Sequence, residues 1–154
     1  METILTFFWF AAVLYGVSTL FYLFSFIHKK ERFIRRGVIF AGLGFLSHTL
    51  CLSFYWTRPA YLSFSTFQII NDAAWSGVFI FLLVLVFAKS LRPAGILVTP
   101  FTLLTMVWAA VSKKDIGMTP PAFDTPWFWI HVIASALAYG FVLVAGAIGL
   151  LYLF

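Results

Sequence analysis

Residues 126–154, PWFWIHVIASALAYGFVLVAGAIGLLYLF, run to the last position of the sequence without one Asp, Glu, Lys or Arg. About 20 residues of helix cross the hydrocarbon of a bilayer, so this stretch alone is long enough to span it. Working back along the chain, charge-free runs cover Thr3 to Ile27, Gly37 to Thr57, Ala73 to Ala88 and Pro93 to Val111. The third reaches spanning length when extended back to Phe67, with Asp72 at the interface or facing protein. These runs predict an all-α, polytopic transmembrane helix bundle of about five spans, at about 3–27, 37–57, 67–88, 93–111 and 126–154, forming a single transmembrane domain over 1–154. The first span is no cleavable signal peptide, because its apolar run is too long, no basic segment precedes it and no small-residue cleavage site closes it. Leu150 to Phe154 carries no charged anchor, which leads us to expect that the sequence is part of a longer membrane protein whose next segment is polar.

Composition agrees. The chain is 63% hydrophobic and 10% charged with a mean hydropathy of +1.03, and so little charge cannot coat a water-facing surface. The net charge of +5 does not indicate nucleic acid, because the positive residues cluster between apolar runs. Lys29, Lys30, Arg32, Arg35 and Arg36 fall in the loop from His28 to Arg36, and Lys89 and Arg92 add two more on the same side. The other side holds only Arg58, Lys113 and Lys114. The positive-inside bias therefore predicts an outside N-terminus, cytoplasmic basic loops, and outward-facing segments from Arg58 to Phe67 and from Ser112 to Thr125. Trp56, Trp108, Trp127 and Trp129 all fall at the outer ends of spans, as an aromatic belt requires. The segment Arg58 to Gln68, uncharged after Arg58, reads either as a re-entrant or amphipathic stretch walling a cavity or as a connector resting on lipid.

No Walker A, GxGxxG, HExxH, GxSxG or CxxCH motif is present, nor any paired carboxylates, so phosphoryl transfer, dinucleotide use, zinc hydrolysis and covalent c-type haem have no support. Cys51 has no thiol partner in the sequence and reads as a small packing residue. The histidines remain. His131 stands four residues after Trp127, roughly 6 Å below the outer interface at ~1.5 Å per residue. Steps of three and four along that helix give His131, Ser135, Ala138, Val142, Ala145 and Gly149, a stripe of small side chains beneath one imidazole. Such a stripe accepts a flat macrocycle with imidazole as its axial ligand, or another helix with the histidine as an interfacial hydrogen-bonding group. His48 lies near the middle of the second span on a face with Ala41, Gly44, Cys51 and Tyr55, either as a functional group at bilayer depth or as an imidazole bonded to a neighbouring helix. Its depth differs from that of His131 by about five residues, on the order of 8 Å, which predicts separate roles. His28 joins the basic loop. Asp72 reads as a helix cap, a partner for Arg58 or a contact for a substrate group.

Pro59 to Trp75, the Leu91-Arg92-Pro93-Ala94-Gly95 loop before a span with Pro100, and Trp127 to Val132 followed by Leu137-Ala138-Tyr139-Gly140 and Gly149 to Leu153 resemble the CcsA/HemX-type cytochrome c assembly family over about the last hundred residues. Two differences stand out. The Asn-Leu-Tyr-Glu run of that family is here Ser65-Thr66-Phe67-Gln68, and its tryptophan-rich external loop and second external histidine follow the fifth helix, so the chain corresponds to the front half of such a protein. The resemblance implies a haem-handling membrane protein of cytochrome c maturation, in a bacterial inner membrane or an organelle membrane of bacterial descent, acting within a cytochrome c haem lyase (synthase) system. His131 occupies the position of an axial ligand to the iron of non-covalent haem b. His48 becomes a second haem or relay site, and Trp127, Trp129, Ser135 and Ala138 walls of the cleft. Haem, apocytochrome c, other membrane subunits of the assembly system and lipid are the implied partners. The alternative is a non-catalytic scaffold, or a regulatory protein of haem biosynthesis or of a larger membrane complex, without bound haem.

Overall fold

The computed structural model describes residues 2–57, 65–112 and 125–153. Five α-helices make up nearly all of it: α1 (Glu2–His28), α2 (Glu31–Trp56), α3 (Thr66–Phe87), α4 (Gly95–Val111) and α5 (Pro126–Tyr152), with a 3-10 turn over Lys89–Ala94 leading into α4. Each is long and apolar enough to cross a bilayer, α4 together with its 3-10 turn. The chain is an all-helical integral membrane protein.

Helix ends follow local chemistry. Ser65 caps α3 by accepting a hydrogen bond from the Gln68 amide, and Thr125 does the same for α5 from Phe128, with Pro126 in the first turn where its missing N–H is harmless. The cap of α3 is therefore Ser65 and not Asp72. Pro93 lies in the 3-10 turn, and Pro100 inside α4 withholds one backbone donor. The basic loop expected over 28–36 is shorter than its charge suggested. Glu31 already opens α2, and only Lys29 and Lys30 connect the helices, with Lys29 in the left-handed region at φ 52°. Charged residues are good helix formers, so a run that ends the hydrocarbon need not end the helix. Glu31 accepts from Arg35 one turn on at 3.4 Å, and its carboxylate also lies 3.6 Å from Arg92, joining α2 to the 3-10 turn at this basic end. The tryptophan-bearing ends of α2, α4 and α5 lie opposite. Arg58, Lys113, Lys114 and most of the Arg58 to Gln68 segment lie outside the described residues.

The helices pack as neighbours in the order α2, α1, α4, α3, α5, with α3 also touching α2. Lipid gives apolar side chains no reason to prefer each other to acyl tails, so close backbone approach and polar bonds must hold the bundle. The α1–α2 pair shows both. Gly37 and Gly44 of α2 lie against the rings of Tyr22 and Tyr15, where a Cβ would meet ring carbons at 2.8 Å, and Ser18 between them donates to the Gly37 carbonyl at 2.7 Å. Gly95 at the start of α4 receives the other side of the Tyr22 ring. Two apolar clusters result, one around Phe8, Tyr15, Val78 and Met106, the other around Tyr22, Phe81, Val98 and Val144. Between them Thr19 donates to the Tyr15 carbonyl and lies 3.1 Å from the Thr99 hydroxyl, joining α1 to α4.

Helix α5 is peripheral and buries only Gly140, Val144 and Ala147. Its seat on α3 is reciprocal: Leu143 covers Gly77, while Gly140 lies on the backbone of α3, where an added Cβ would fall 2.6 Å from the Ser76 carbonyl oxygen. That oxygen cannot swing aside. Gly140→Ala is expected to destabilise the α3–α5 contact by about 1–3 kcal/mol, whereas Gly146→Ala and Gly149→Ala, which meet nothing within 4 Å, should leave stability unchanged or slightly raised. Titration of purified protein with a denaturing detergent, followed by circular dichroism, distinguishes them; equal behaviour of all three would refute this seat for α5.

Candidate functional site

A polar cluster joins α1, α2 and α3, meeting α3 in its second turn. His48 of α2 is fully buried, with Nε2 3.0 Å from Asn71 Oδ1 of α3 and Nδ1 3.4 Å from the Tyr15 hydroxyl of α1. An amide oxygen can only accept, so Nε2 carries the hydrogen and Nδ1 receives the Tyr15 O–H. Both ring nitrogens are thereby engaged in one tautomer, and neither is free to ligate iron. Of the two roles open to His48 in the sequence, the structure displays the hydrogen bond between helices. Asn71 and Tyr15 were not singled out from the sequence. The available signal was a row of polar groups at Gln68, Asn71, Asp72 and Trp75, three and four residues apart on one helix, a helical neighbourhood too dense for a span facing only lipid. Gln68 is also buried, and its amide nitrogen and oxygen have no hydrogen-bond partner among the described residues.

His131 has the opposite surroundings. It is exposed in the second turn of α5, with no hydrogen bond among the described residues. At about 100° per residue it stands half a turn around α5 from Gly140, nine residues on, which faces α3. The stripe below it follows the same meridian: Ser135 is half-buried, while Ala138, Val142, Ala145 and Gly149 are exposed. The small-residue stripe thus exists, but it faces away from the bundle, and no described residue stands opposite it to close a cleft. The expected cleft walls divide accordingly. Trp127 is 80% exposed, Ser135 and Ala138 go with the outer face, and only Trp129 turns inward.

Trp129 enters a cavity of about 480 Å³ between α2, α3 and α5 at the tryptophan end, lined also by Thr49, Trp56, Asp72, Trp75 and Ala136. The indoles are held firmly. Trp56 and Trp129 lie 5.5 Å apart, while Trp75 stacks on Phe45 and Phe79 and donates its Nε1–H to the Thr49 hydroxyl at 2.9 Å. The Asp72 Oδ1 atom is buried here without a hydrogen-bond partner. No histidine lines the cavity, so it offers haem iron no imidazole, and its carboxylate would repel the acidic edge of a porphyrin. The unbonded imidazole stands instead on the open face of α5, above exposed Ala138, Val142, Ala145 and Gly149. No group of three His, Cys, Asp or Glu that could hold a metal ion occurs among the described residues.

No family model matches the chain, and no curated protein or solved structure matches it.

If His48 and Asn71 bond as described, His48→Ala and Asn71→Ala should each destabilise the bundle, and the double variant should lose less than the sum by about 0.6 kcal/mol, the average for hydrogen bonds between membrane helices, and by no more than about 1.7 kcal/mol. A double-mutant cycle by detergent unfolding measures this; strict additivity would show that the two side chains do not interact.

Proposed function

We propose that this protein handles haem in cytochrome c maturation, holding non-covalent haem b through His131 and presenting it on the outer side of the membrane for attachment to apocytochrome c. The observation that carries the reading is the contrast between two imidazoles: His48 has both nitrogens committed inside the bundle, whereas His131 is unbonded on an open face. The likeness of Trp127 to Val132 and Leu137 to Gly140 to the CcsA/HemX-type pattern supplies the ligand class. Bound haem would supply vinyl groups for thioether formation with apocytochrome cysteines. The residues of this chain would bind and orient it: His131 through one ring nitrogen, Ala138, Ala145 and Gly149 by leaving a flat surface, and Trp127 by its exposed indole at the membrane boundary. A second ligand and the facing wall would come from residues beyond those described or from other membrane subunits of a cytochrome c haem lyase system. The seven positive residues gathered at the other end favour that end as cytoplasmic, an orientation in which His131 would face outside. A bacterial inner membrane, or an organelle membrane of bacterial descent, suits this role.

The bareness of the α5 face favours a second reading, a scaffold or regulatory protein in which that face seats a partner helix and no haem is held. Absorbance separates the two. Detergent-purified protein loaded with haem should show a Soret band that largely disappears in His131→Gly and returns with added imidazole. A spectrum unaffected by that substitution would remove the ligand role, and a chain that retains no haem would favour the scaffold.

A further inference from the structure

We propose that the cavity between α2, α3 and α5 is a binding site for a quaternary ammonium group. Its lining combines the indoles of Trp56, Trp75 and Trp129 with the carboxylate of Asp72. Indole faces are the best aromatic surfaces for a cation, and rings grouped around a space are the usual cage for a methylated ammonium. Asp72 supplies the opposite charge. Its Oδ1 is buried with no hydrogen-bond partner, and the ion pairs among the described residues all belong to Glu31 at the far end of the bundle. A carboxylate oxygen withdrawn from water without a partner is unfavourable, and a cation arriving beside it removes the penalty.

The remaining polar groups narrow the class. The Thr49 hydroxyl donates to the Phe45 carbonyl and receives the Trp75 Nε1–H, and the Ser53 hydroxyl donates to the Thr49 carbonyl. Apart from Asp72, only the spare lone pairs of these two hydroxyls remain as acceptors in an otherwise aromatic and aliphatic lining. A primary ammonium is strongly hydrated and would exchange that water for this sparse set, and a bare metal ion needs a shell of oxygens the lining lacks. A trimethylammonium group needs neither, since its positive charge is spread over methyl groups that pack on indole. The volume of about 480 Å³ lies within the range of small-molecule sites. The proposal does not depend on His131, which lies on another face of α5, so it stands or falls separately from haem binding.

The test uses the whole purified chain in maltoside micelles free of choline lipid, with choline as probe, 3,3-dimethylbutan-1-ol as its neutral analogue of the same shape, and tryptophan fluorescence as readout. Choline should change the fluorescence saturably and the neutral analogue should not. Asp72→Asn should weaken choline binding by about tenfold or more, while Asp72→Glu, which keeps the charge, should retain it within a few-fold. Gel filtration and circular dichroism establish that both variants fold; should Asp72→Asn fail to fold, the comparison of choline with its neutral analogue on the native chain decides. Equal responses to the two probes, or choline binding unchanged in folded Asp72→Asn, would overturn the proposal. Repeating the titration in phosphatidylglycerol nanodiscs with and without phosphatidylcholine identifies the source: competition by the choline lipid marks a lipid headgroup as the occupant, and its absence marks a free cation.

Discussion

Lipid offers a polar side chain nothing to bond, and the bundle is organised around that constraint. His48, Asn71 and Tyr15 satisfy one another across three helices, and in doing so fix the rotation of α1, α2 and α3 about their own axes. A slip of one residue in any of them would leave an imidazole, an amide or a phenol unmatched. Around this fixed point the tyrosine rings settle on Gly37, Gly44 and Gly95, where the backbone comes close enough for dense contact.

The number and extent of the helices were legible because length and the absence of charge are properties of each segment by itself. Boundaries were less so: Glu31 to Arg36 stop the hydrocarbon without stopping the helix, since the side chains that repel lipid are also ones that helices tolerate. The face of α5 was not legible at all. His131, Ala138 and Gly149 make as good a small-residue stripe as Leu137, Gly140 and Ala147, and in a bilayer no contrast of apolar against polar tells the inner side from the outer. What decides is whether α3 presents a matching groove, and Gly77 with the bared backbone at Ser76 does so for Gly140 and Leu143. Pairings such as His48 with Asn71 escape a reading by span for the same reason, because they belong to two helices at once.

The two ends of the molecule divide its work. At the basic end, Glu31 with Arg35 and Arg92 forms an exposed set of charges that contributes little to stability and much to the sign of that surface. At the other end, aromatic rings and a carboxylate whose Oδ1 has no hydrogen-bond partner among the described residues gather around a cavity, and an imidazole without a hydrogen bond among those residues stands nearby. The matched polar groups lie directly beside the cavity, since Asn71 precedes Asp72 in α3 and His48 precedes Thr49 in α2.

The turn at Lys29 and Lys30 bears on how the chain reaches the membrane. Two residues cannot span a bilayer, so while α1 and α2 keep this turn neither helix can be threaded without carrying its neighbour with it. They would enter as one pre-paired unit, with the contacts of Ser18, Tyr15 and Tyr22 made between segments synthesised back to back. The contacts of this half are local in sequence, while His48 and Tyr22 still present groups that only Asn71 of α3 and Gly95 of α4 complete.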